Sequence, residues 1–564
     1  MFTNHYSRIV RITEQFVPFI LKYQCLDAHS REYGGNVSPP KAFSEPNTSA
    51  HCADVLLSLY YNTDSVYCGK PELLASARLY LDNLLREQHE DGTIDLKETN
   101  FHDATSVAFS VQVLGYTYKL VEKYSRHNEQ EQDIRGMLLQ FFRQSAKGMV
   151  EGGFHTPNHR WVMASALSLL TNILGEDQLK DEIQLYLNEG IDCDEQGEYT
   201  ERSVGIYNVI NNRSLLIMAE ELAMPELLAH VERNLNMVLN YIEPDDTLFT
   251  LNSTRQDNGK ESYPVNYFEN YFLMAYRTNN KVYAHMSEYL LELTDRLVKK
   301  ADSLRDMAAT VPMPHYLTLC MLDEGLARYE SDTEKPARDY EVWFADSGVV
   351  RRRADQTTMT IVGNNSTFLK FQYGTNKVYV KFAGTFFSKG QFKGERIEQT
   401  ERGYSLHYRR EWGYVRPFAD GSPTNVWREM DHAAREKIQM QTYDMTVHIT
   451  AEEQGICLEV VSEGIERLPC KLELIFEPGG EWETGDSIIP GEAGRSVILK
   501  SGAATYRRDG DDIRLQGGFG EHTYTTVMRG SETHSREKFT VYMTDFTPID
   551  RRIIITAAGQ GEGV

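Results

Sequence analysis

The stretch Glu334-Lys335-Pro336 marks the point at which the periodicity of the sequence changes. Before it, apolar residues recur every three or four positions, which predicts amphipathic helices. After it, apolar and polar residues alternate between Gly, Asn and Asp turns, which predicts short strands. The sequence therefore predicts two domains, a helical domain over residues 1–335 and a β domain over residues 337–564.

The helical half repeats a pair of helices joined by a similar turn. Apolar periodicity predicts helices over residues 53–60, 73–85, 107–121, 134–142, 162–174, 206–222, 227–242 and 282–298. Gly92, Gly153, Gly197 and Asp246 mark corresponding turns, and the spacings of 61, 44 and 49 residues suit a helical hairpin plus a loop. Such hairpins stack as an open solenoid or close into an α/α toroid, in which the recurring loops line one cleft.

The second half reads as β structure throughout. Strands are predicted over residues 358–362, 367–373, 377–382, 445–449, 457–461 and 539–543. Many short strands without helices between them are typical of antiparallel sheets packed face to face. The predicted fold of this half is therefore an antiparallel β-sandwich.

Composition narrows the function classes. With 564 residues, 41% hydrophobic and 25% charged, the chain is an ordinary globular protein. A formal charge of −23 argues against nucleic acid or an anionic membrane as a partner. The seven scattered cysteines contain no CxxC pair and indicate reduced thiols, not disulfides or a zinc site. The sequence predicts no cofactor, and it leaves a structural divalent metal ion and a homo-oligomer open.

The first 24 residues do not resemble a signal peptide. Two arginines and a lysine interrupt the apolar residues, and a small-residue cleavage site is missing. No apolar run reaches the length of a membrane span. The expected location is the cytoplasm.

One polar stretch stands out at the start of a predicted apolar helix: Gly153-Phe154-His155-Thr156-Pro157-Asn158-His159-Arg160-Trp161. Helix N-termini carry partial positive charge and free N–H groups, so such a stretch can face a bound carboxylate. Asn158 could hydrogen-bond that carboxylate, Arg160 could neutralise it, and His159 could move a proton beside it. The alternative is that Asn158 only caps the helix.

A second candidate lies about fifty residues on, in the segment Gly197 to Asn208. Ser203 is predicted as a helix N-cap, which places Tyr207 on the first turn, at a helix mouth like that of His159. The alternative is that Tyr207 packs between helices, as many tyrosines do. Other loops that precede helices add the polar residues Asn100, His102 and Arg255, with Asp103 as a candidate cap.

These residues carry a resemblance. Asn158-His159 opening one helix, and Gly197-Glu198-Tyr199-Thr200-Glu201 leading to Tyr207, resemble the polysaccharide lyases of the heparinase II/III and oligoalginate lyase type. The resemblance covers nearly the whole chain and implies an incomplete α/α toroid followed by an antiparallel β-sandwich. Where that family often has Glu-Gly-Ser, this chain has Glu201-Arg202-Ser203, and the metal-binding histidines of some members have no clear match. The polysaccharide therefore stays open.

The resemblance implies β-elimination at a uronic acid, giving a 4,5-unsaturated uronate end. Asn158, with Arg160 or Arg202, would neutralise the uronate carboxylate so that the C5 proton becomes acidic. His159 would take that proton, and Tyr207 would donate to the departing C4 oxygen or serve as the base itself.

The remaining candidates would bind the substrate, which is expected to be an acidic oligosaccharide or polysaccharide. In the helical domain they are Glu201, Tyr199, Asn100, His102, Arg255 and Trp161. In the β domain they are Tyr404 and His407, within the segment Arg402 to Arg410. The alternation of that segment also suits a plain strand with one solvated face, and this alternative is preferred.

Two other function classes stay open. A glycoside hydrolase on a helical toroid would use two carboxylates, here Asp103 with Asp194 or Glu201. A non-catalytic carbohydrate-binding protein would use aromatic stacking platforms. The candidates for such platforms are Trp161, Tyr199 and Phe101.

Overall fold

The computed structural model describes residues 1–39, 41–126, 128–298, 315–521 and 528–558. The chain forms two compact units. The helical unit comprises Met1–Ile242 with Asp246–Pro336, and the β unit comprises Glu243–Asp245 with Ala337–Val564. In the described residues, no helix is both long and apolar enough to cross a membrane.

The helical unit is built from helices in pairs. Its described helices are α1 (His5–Glu14), α2 (Val17–Tyr23), α3 (Pro46–Tyr61), α4 (Pro71–Glu87), α5 (Ala104–Tyr124), α6 (Glu129–Glu151), α7 (Pro157–Leu174), α8 (Leu179–Asn188), α9 (Tyr207–Glu221), α10 (Leu228–Leu239), α11 (Phe268–Thr278), α12 (Lys281–Val298), α13 (Tyr316–Leu322) and α14 (Glu324–Ala327). A small hairpin of β1 (Ile94–Leu96) and β2 (Asn100–Asp103) precedes α5.

The odd-numbered helices α3, α5, α7, α9 and α11 contact one another in series. Each of them also packs against the helix that follows it, and α1 and α13 complete the arrangement by contacting each other and α3. This confirms the predicted α/α toroid. Since each second helix returns the chain to the same end, the starts of α5, α7 and α9 lie on one face.

Two of the recurring turns dock closely on the helix that comes later in the chain. Gly92 and Gly197 have φ of +87° and +96°, a region that favours glycine. An added Cβ would lie 2.0 Å from the Gln144 carbonyl oxygen in the first case and 2.3 Å from the Arg233 carbonyl oxygen in the second. These glycines therefore let the turns approach α6 and α10. The turn at Gly153 lacks this geometry.

The β unit contains two sheets. Its strands are β3 (Tyr340–Phe344), β4 (Val349–Ala354), β5 (Thr357–Val362), β6 (Leu369–Tyr373), β7 (Asn376–Gly384), β8 (Arg396–Thr400), β9 (Gly403–Val415), β10 (Lys437–Ala451), β11 (Gly455–Gly464), β12 (Pro469–Phe476), β13 (Glu481–Thr484), β14 (Ile488–Pro490), β15 (Ser496–Ile498), β16 (Ala503–Arg508), β17 (Asp511–Gln516), β18 (Phe539–Phe546) and β19 (Asp550–Ala558).

One sheet has the order β14-β13-β16-β17-β19-β11-β10-β9-β8, and the other has β15-β18-β12-β7-β6-β5-β4-β3. Neighbouring strands are antiparallel, apart from the parallel pair β15–β18. The inward residues of both sheets form one apolar core, which includes Leu406, Val447 and Leu474. This confirms the predicted antiparallel β-sandwich.

Candidate active site

The first turn of α7 carries the polar stretch singled out from the sequence. Thr156 occupies the N-cap position and Pro157 the first helical position, where a proline loses no hydrogen bond. Asn158 therefore lies inside the helix, and the alternative that it caps the helix is wrong. Its side chain is fully buried, and its Nδ2 donates to Glu201 Oε2 at 2.7 Å and to Thr156 Oγ1 at 3.2 Å.

His159 follows in the same turn and is 9% exposed. Burial, together with the nearby His155 and Arg255, lowers the pKa of its imidazole to about 4 against the opposing charge of Asp103. The His155 and His159 rings meet edge to face with their centroids 4.9 Å apart. His159 is therefore neutral at neutral pH, which is the form that accepts a proton.

Glu201 connects the start of α7 to the loop that carries Arg255. Its carboxylate receives the Asn158 amide, and its Oε1 lies 3.2 Å from the Nε of Arg255. Burial raises the pKa of this carboxyl group, while Asn158 and Arg255 lower it. Arg255 is 31% exposed and thus is the more accessible member of the ion pair.

Tyr207 is the first residue of α9. The predicted cap Ser203 lies further upstream, and Ile206 occupies the N-cap position; the Ser203 hydroxyl still accepts from the Tyr207 backbone N–H at 3.3 Å. The Tyr207 hydroxyl oxygen accepts from Gln256 Nε2 at 2.6 Å. The Arg255 guanidinium lies 5.2 Å from the Tyr207 ring centroid, so the loop that carries Arg255 and Gln256 covers this tyrosine.

Asp257 ties this loop to the segment before α9. Its Oδ1 accepts from the Ser203 hydroxyl at 2.9 Å and from the Ser253 hydroxyl, and its Oδ2 accepts from the Gly205 backbone N–H at 3.1 Å. Neither Gln256 nor Asp257 was predicted from the sequence. Polar residues are common in loops, and nothing in the local pattern distinguishes these two from their neighbours.

Arg160 and Trp161 point to a different neighbourhood. Arg160 forms ion pairs with Glu189 at 3.1 Å and Asp192 at 3.3 Å, and its guanidinium lies 4.6 Å from the Trp161 ring centroid. Trp161 is fully buried and donates from Nε1 to Asp192 at 2.7 Å. The prediction of Trp161 as a sugar-stacking platform is therefore wrong, because its ring already belongs to the helix packing.

Tyr199 is buried as well, and its hydroxyl donates to Asn212 Oδ1 at 2.9 Å. Its prediction as a stacking platform is wrong for the same reason. Phe101, the third platform candidate, is exposed.

The carboxylates proposed for a hydrolase have structural partners. Asp103 is the N-cap of α5 and accepts from the Thr105 backbone N–H at 3.0 Å; Asn100 Nδ2 also donates to it, at 3.3 Å. Asp194 accepts from the backbone N–H groups of Gln196 and Glu198 within its turn. No specific observation therefore favours a hydrolase.

His102 and Arg202 complete the candidates of the helical unit. His102 Nδ1 lies 2.6 Å from Asp91 Oδ2, and its ring stacks on that of His89 at 4.0 Å. Arg202 adopts a φ of +51° directly after Glu201. Of the predicted residues, the structure thus connects Asn158 and Tyr207 through Glu201 and Arg255, and the charge of Arg255 acts on the pKa of His159.

The two β-unit candidates lie on β9. Tyr404 is buried, and its hydroxyl donates to Glu341 Oε1 at 2.7 Å, so the predicted substrate contact of Tyr404 is wrong. His407 is exposed on the other face of the strand, where its Nδ1 lies 2.9 Å from the Thr446 hydroxyl. In the described part of the chain, no group of three or more His, Cys, Asp or Glu side chains is arranged to hold a metal ion.

Comparison with known proteins gives structural matches only. No protein-family model matches the chain, and a search of curated proteins found no relative. Among solved structures, the chain is similar to a heparinase III gene product, with a TM-score of 0.53 at 11% identity over 97% of this chain and 84% of that one.

Two further solved structures are similar. Streptomyces coelicolor A3 chondroitin AC lyase, solved in complex with chondroitin sulphate, gives a TM-score of 0.52 at 10% identity over 99% of this chain and 80% of that one. Paenibacillus xanthan lyase gives 0.57 at 8% identity over 98% of this chain and 57% of that one. The helical toroid followed by an antiparallel β-sandwich is therefore the fold that this chain shares with solved polysaccharide lyases.

Proposed function

We propose that the protein is a lyase that cleaves uronate-containing oligosaccharides by β-elimination. The observation that carries the proposal is the connected cluster at the starts of α7 and α9. In it, the guanidinium of Arg255 pairs with Glu201, lies 5.2 Å from the ring centroid of the phenol Tyr207, and is close enough to the neutral imidazole of His159 to lower its pKa. These are the three chemical groups that elimination beside a carboxylate requires.

The first requirement is to offset the charge of the sugar carboxylate. The C5 proton of a uronate is poorly acidic while the neighbouring carboxylate keeps its full charge, so a cation must offset that charge as the carbanion forms. We assign this role to Arg255, which is partly exposed. Asn158 is buried with its amide on Glu201, so it orients the partner of Arg255 instead of meeting the sugar directly.

The proton is then removed. His159 is held neutral by burial and by the positive charges around it, so it can accept the C5 proton at neutral pH. The C5–H electrons form the C4=C5 double bond, and the C4–O bond breaks.

Tyr207 is suited to protonate the departing oxygen. Its hydroxyl oxygen accepts from Gln256, which leaves its own proton available for donation. The same Gln256 donor would stabilise the phenolate that remains, until His159 returns the proton to it through solvent. The products are a new non-reducing end with a 4,5-double bond and a released hydroxyl group.

The structural neighbours support the substrate class. Those named above are described as heparinase III, chondroitin AC lyase and xanthan lyase, and the chondroitin AC lyase was solved with chondroitin sulphate bound. An acidic polysaccharide or an oligosaccharide derived from one is therefore the substrate class that we propose.

The test is incubation of the protein with a panel of uronate-containing oligosaccharides, including chondroitin-, heparan- and alginate-derived ones. A lyase gives a conjugated product with ultraviolet absorbance. New reducing ends without absorbance would instead indicate hydrolysis, and the absence of both signals across the panel would contradict the proposal.

Two variants locate the activity. Tyr207→Phe should abolish turnover with the fold intact, because the phenol proton is lost. Tyr23→Phe removes a hydroxyl outside the cluster and is the matched control. Near-normal turnover in Tyr207→Phe would contradict the role of Tyr207.

A further inference from the structure

Two strands of the β unit extend beyond the sheet that contains them. β8 pairs with β9 only as far as His407, and β11 pairs with β10 only from Tyr443 onward. Residues 408–415 and 437–442 therefore form a two-stranded ribbon, which the loop 416–436 connects. We refer to residues 408–415 and 437–442 as the ribbon.

The ribbon and its loop concentrate exposed apolar side chains. Of the seventeen exposed large hydrophobic residues in the described part of the chain, six lie between residues 412 and 440. They are Trp412, Tyr414, Val415, Val426, Trp427 and Met440. Patches of this kind mark interaction sites on soluble proteins, and Trp, Tyr, Met and Arg are the residues enriched in protein interfaces.

The apolar face of β9 continues past the core of the sandwich. Tyr404, Leu406 and Tyr408 point into the core and are buried. Because side chains alternate along a strand, Trp412 and Tyr414 lie on the same face. They are 45% and 58% exposed. The segment 386–390 covers them only in part, with Lys389 Nζ 4.2 Å from the Trp412 ring centroid and the Phe387 ring centroid 5.6 Å from that of Tyr414. The core-facing pattern thus continues into a region where about half of each ring stays exposed.

The outer edge of β9 is open for pairing. Across the described residues, no strand pairs with residues 408–415 on the side away from β10. Eight residues at ~3.4 Å each give an edge of ~27 Å whose outward N–H and C=O groups can template another strand. The outer edge of β10 is different, because its register shifts between Ile438 and Gln441 and Gln439 has a φ of +51°. Such a bulge discourages pairing there.

The charge of this region favours a second copy of the chain over an acidic polysaccharide. Residues 409–437 contain six basic and five acidic side chains in a protein whose formal charge is −23. The basic groups on β9 are already paired, Arg409 with Glu411 at 3.0 Å and Asp444 at 3.1 Å, and Arg410 with Glu395 at 2.6 Å. Two acidic chains can approach each other here without the repulsion that acts elsewhere.

The connecting loop is braced from within. The Arg435 guanidinium lies 3.9 Å from the Phe418 ring centroid and 5.3 Å from that of Trp427. Arg435 also donates to His432 Nδ1 at 3.2 Å and to the Arg416 carbonyl oxygen at 3.2 Å. The exposed Trp427 is therefore held in place before any partner binds, which lowers the entropy cost of docking.

We propose that the protein forms a two-fold symmetric dimer in which the outer β9 edges of two copies pair antiparallel. A two-fold axis perpendicular to the sheet keeps the Trp412 faces of both copies on one side. An axis at Trp412 places this residue opposite its counterpart and Arg410 opposite Tyr414 of the second copy. Glu411 then faces Gly413 and not another Glu411.

The area available fits this assignment. Aromatic side chains bury ~150–250 Å² each, so the three exposed aromatic residues, roughly half covered now, supply a few hundred Å² per chain together with the aliphatic ones. The paired edge and the loops bring this toward the ~800 Å² per partner of a standard interface.

Sedimentation velocity on the full chain tests the proposal. The wild-type protein should sediment as a species whose mass is twice the 64.7 kDa of one chain. Trp412→Glu places two carboxylates against each other across the axis, and it should raise the dissociation constant at least ~30-fold, as loss of a central hot spot does. Leu185→Glu, at an exposed position on α8, is the control and should stay dimeric.

Hydrogen exchange of the wild-type protein at high and low concentration gives a second readout. It needs no substitution, so a folding defect cannot affect it. Outward amides of residues 408–415 should exchange more slowly in the dimer. A monomer at all concentrations, a dimer that Trp412→Glu does not weaken, or unchanged exchange in the ribbon would each overturn the proposal. So would a monomer whose Trp412→Glu variant loses binding to an acidic polysaccharide.

Discussion

At the scale of single residues, Gln256 is the least expected member of the candidate site. Its Nε2 donates to the Tyr207 hydroxyl oxygen at 2.6 Å, where negative charge develops if Tyr207 gives up its proton. Hydrogen bonds to charged groups are worth ~1.5–3 kcal/mol. We expect Gln256→Ala to lower kcat about 10- to 100-fold with little change in KM, measured by the absorbance of the unsaturated product.

The control for this variant is Gln178→Ala, which removes an exposed glutamine before α8. Equal kcat in Gln256→Ala and the wild-type protein would show that Tyr207 is not the proton donor, or that its phenolate needs no support from this loop.

The pKa of His159 determines the expected acid limb of the pH dependence of kcat/KM. Since the pKa of its imidazole lies at about 4, the neutral base is present above that pH and is lost as the pH falls through it. An ordinary histidine would already be half protonated near pH ~6.5. We expect the acid limb of kcat/KM to lie near pH 4.

Removing a positive neighbour should move this limb. The charge of His155 lowers the pKa of His159, so His155→Gln should shift the acid limb of kcat/KM to higher pH. His29→Gln, outside the cluster, should leave the profile unchanged. A wild-type acid limb near pH 6.5 would assign the proton transfer to another group.

Sequence patterns located polar residues of the candidate site but not the packing of the aromatic residues around them. Asn158, His159 and Tyr207 were identified because polar groups at helix starts are visible as a break in an apolar pattern. Trp161 and Tyr199 were mispredicted because an aromatic ring beside a polar loop reads the same whether it faces solvent or the helix behind. Burial depends on residues far away in the sequence, such as Asp192 for Trp161.

At the scale of elements, long helices with a regular apolar stripe were predicted, and some of their ends were missed. The predicted helix 162–174 begins at Pro157 in the structure, because its first turn is made of polar residues that continue the helix without extending the stripe. The short helices α8 and α13 were missed, since two or three turns give too few apolar repeats to show a period.

The turn at Gly197 gives a prediction for this scale. Its φ of +96° and the Arg233 carbonyl oxygen, 2.3 Å from where a Cβ would lie, both oppose a side chain. We expect Gly197→Ala to lower the free energy of unfolding by more than the ~1–3 kcal/mol of backbone strain alone, as measured by chemical denaturation.

Gly190 separates the two causes. It has a φ of +84° with no atom within 4 Å of an added Cβ, so Gly190→Ala should cost the strain alone. Equal losses of unfolding free energy in both variants would show that the close contact of the turn with α10 does not add to the cost of the substitution.

At the scale of the whole molecule, the change of period at residue 335 identifies both fold classes, but one feature of the chain path escapes it. Glu243–Asp245 belongs to the β unit, although the residues on either side belong to the helical unit. The local sequence of this turn does not predict that the Glu243 carboxylate pairs with strands about a hundred residues later. Arg351 on β4 donates to both Glu243 oxygens, at 2.9 and 3.1 Å.

This buried carboxylate yields the prediction with the largest expected effect on stability. Lys370 Nζ also donates to Glu243 at 2.7 Å, and the two cations hold the pKa of Glu243 well below its usual range despite burial. Glu243→Gln leaves both cations without their counter-ion, so we expect a loss of ~3–5 kcal/mol in the free energy of unfolding.

The pH dependence distinguishes the ion cluster from a simple packing defect. A carboxyl group with a lowered pKa stabilises the folded state at neutral pH, and that contribution disappears as the pH falls from the unfolded value toward the folded one. The melting temperature of the wild-type protein should therefore fall more steeply below pH ~5 than that of Glu243→Gln. Glu459→Gln, at an exposed position on β11, should follow the wild-type curve, and parallel curves for all three proteins would refute a charged Glu243 in the folded state.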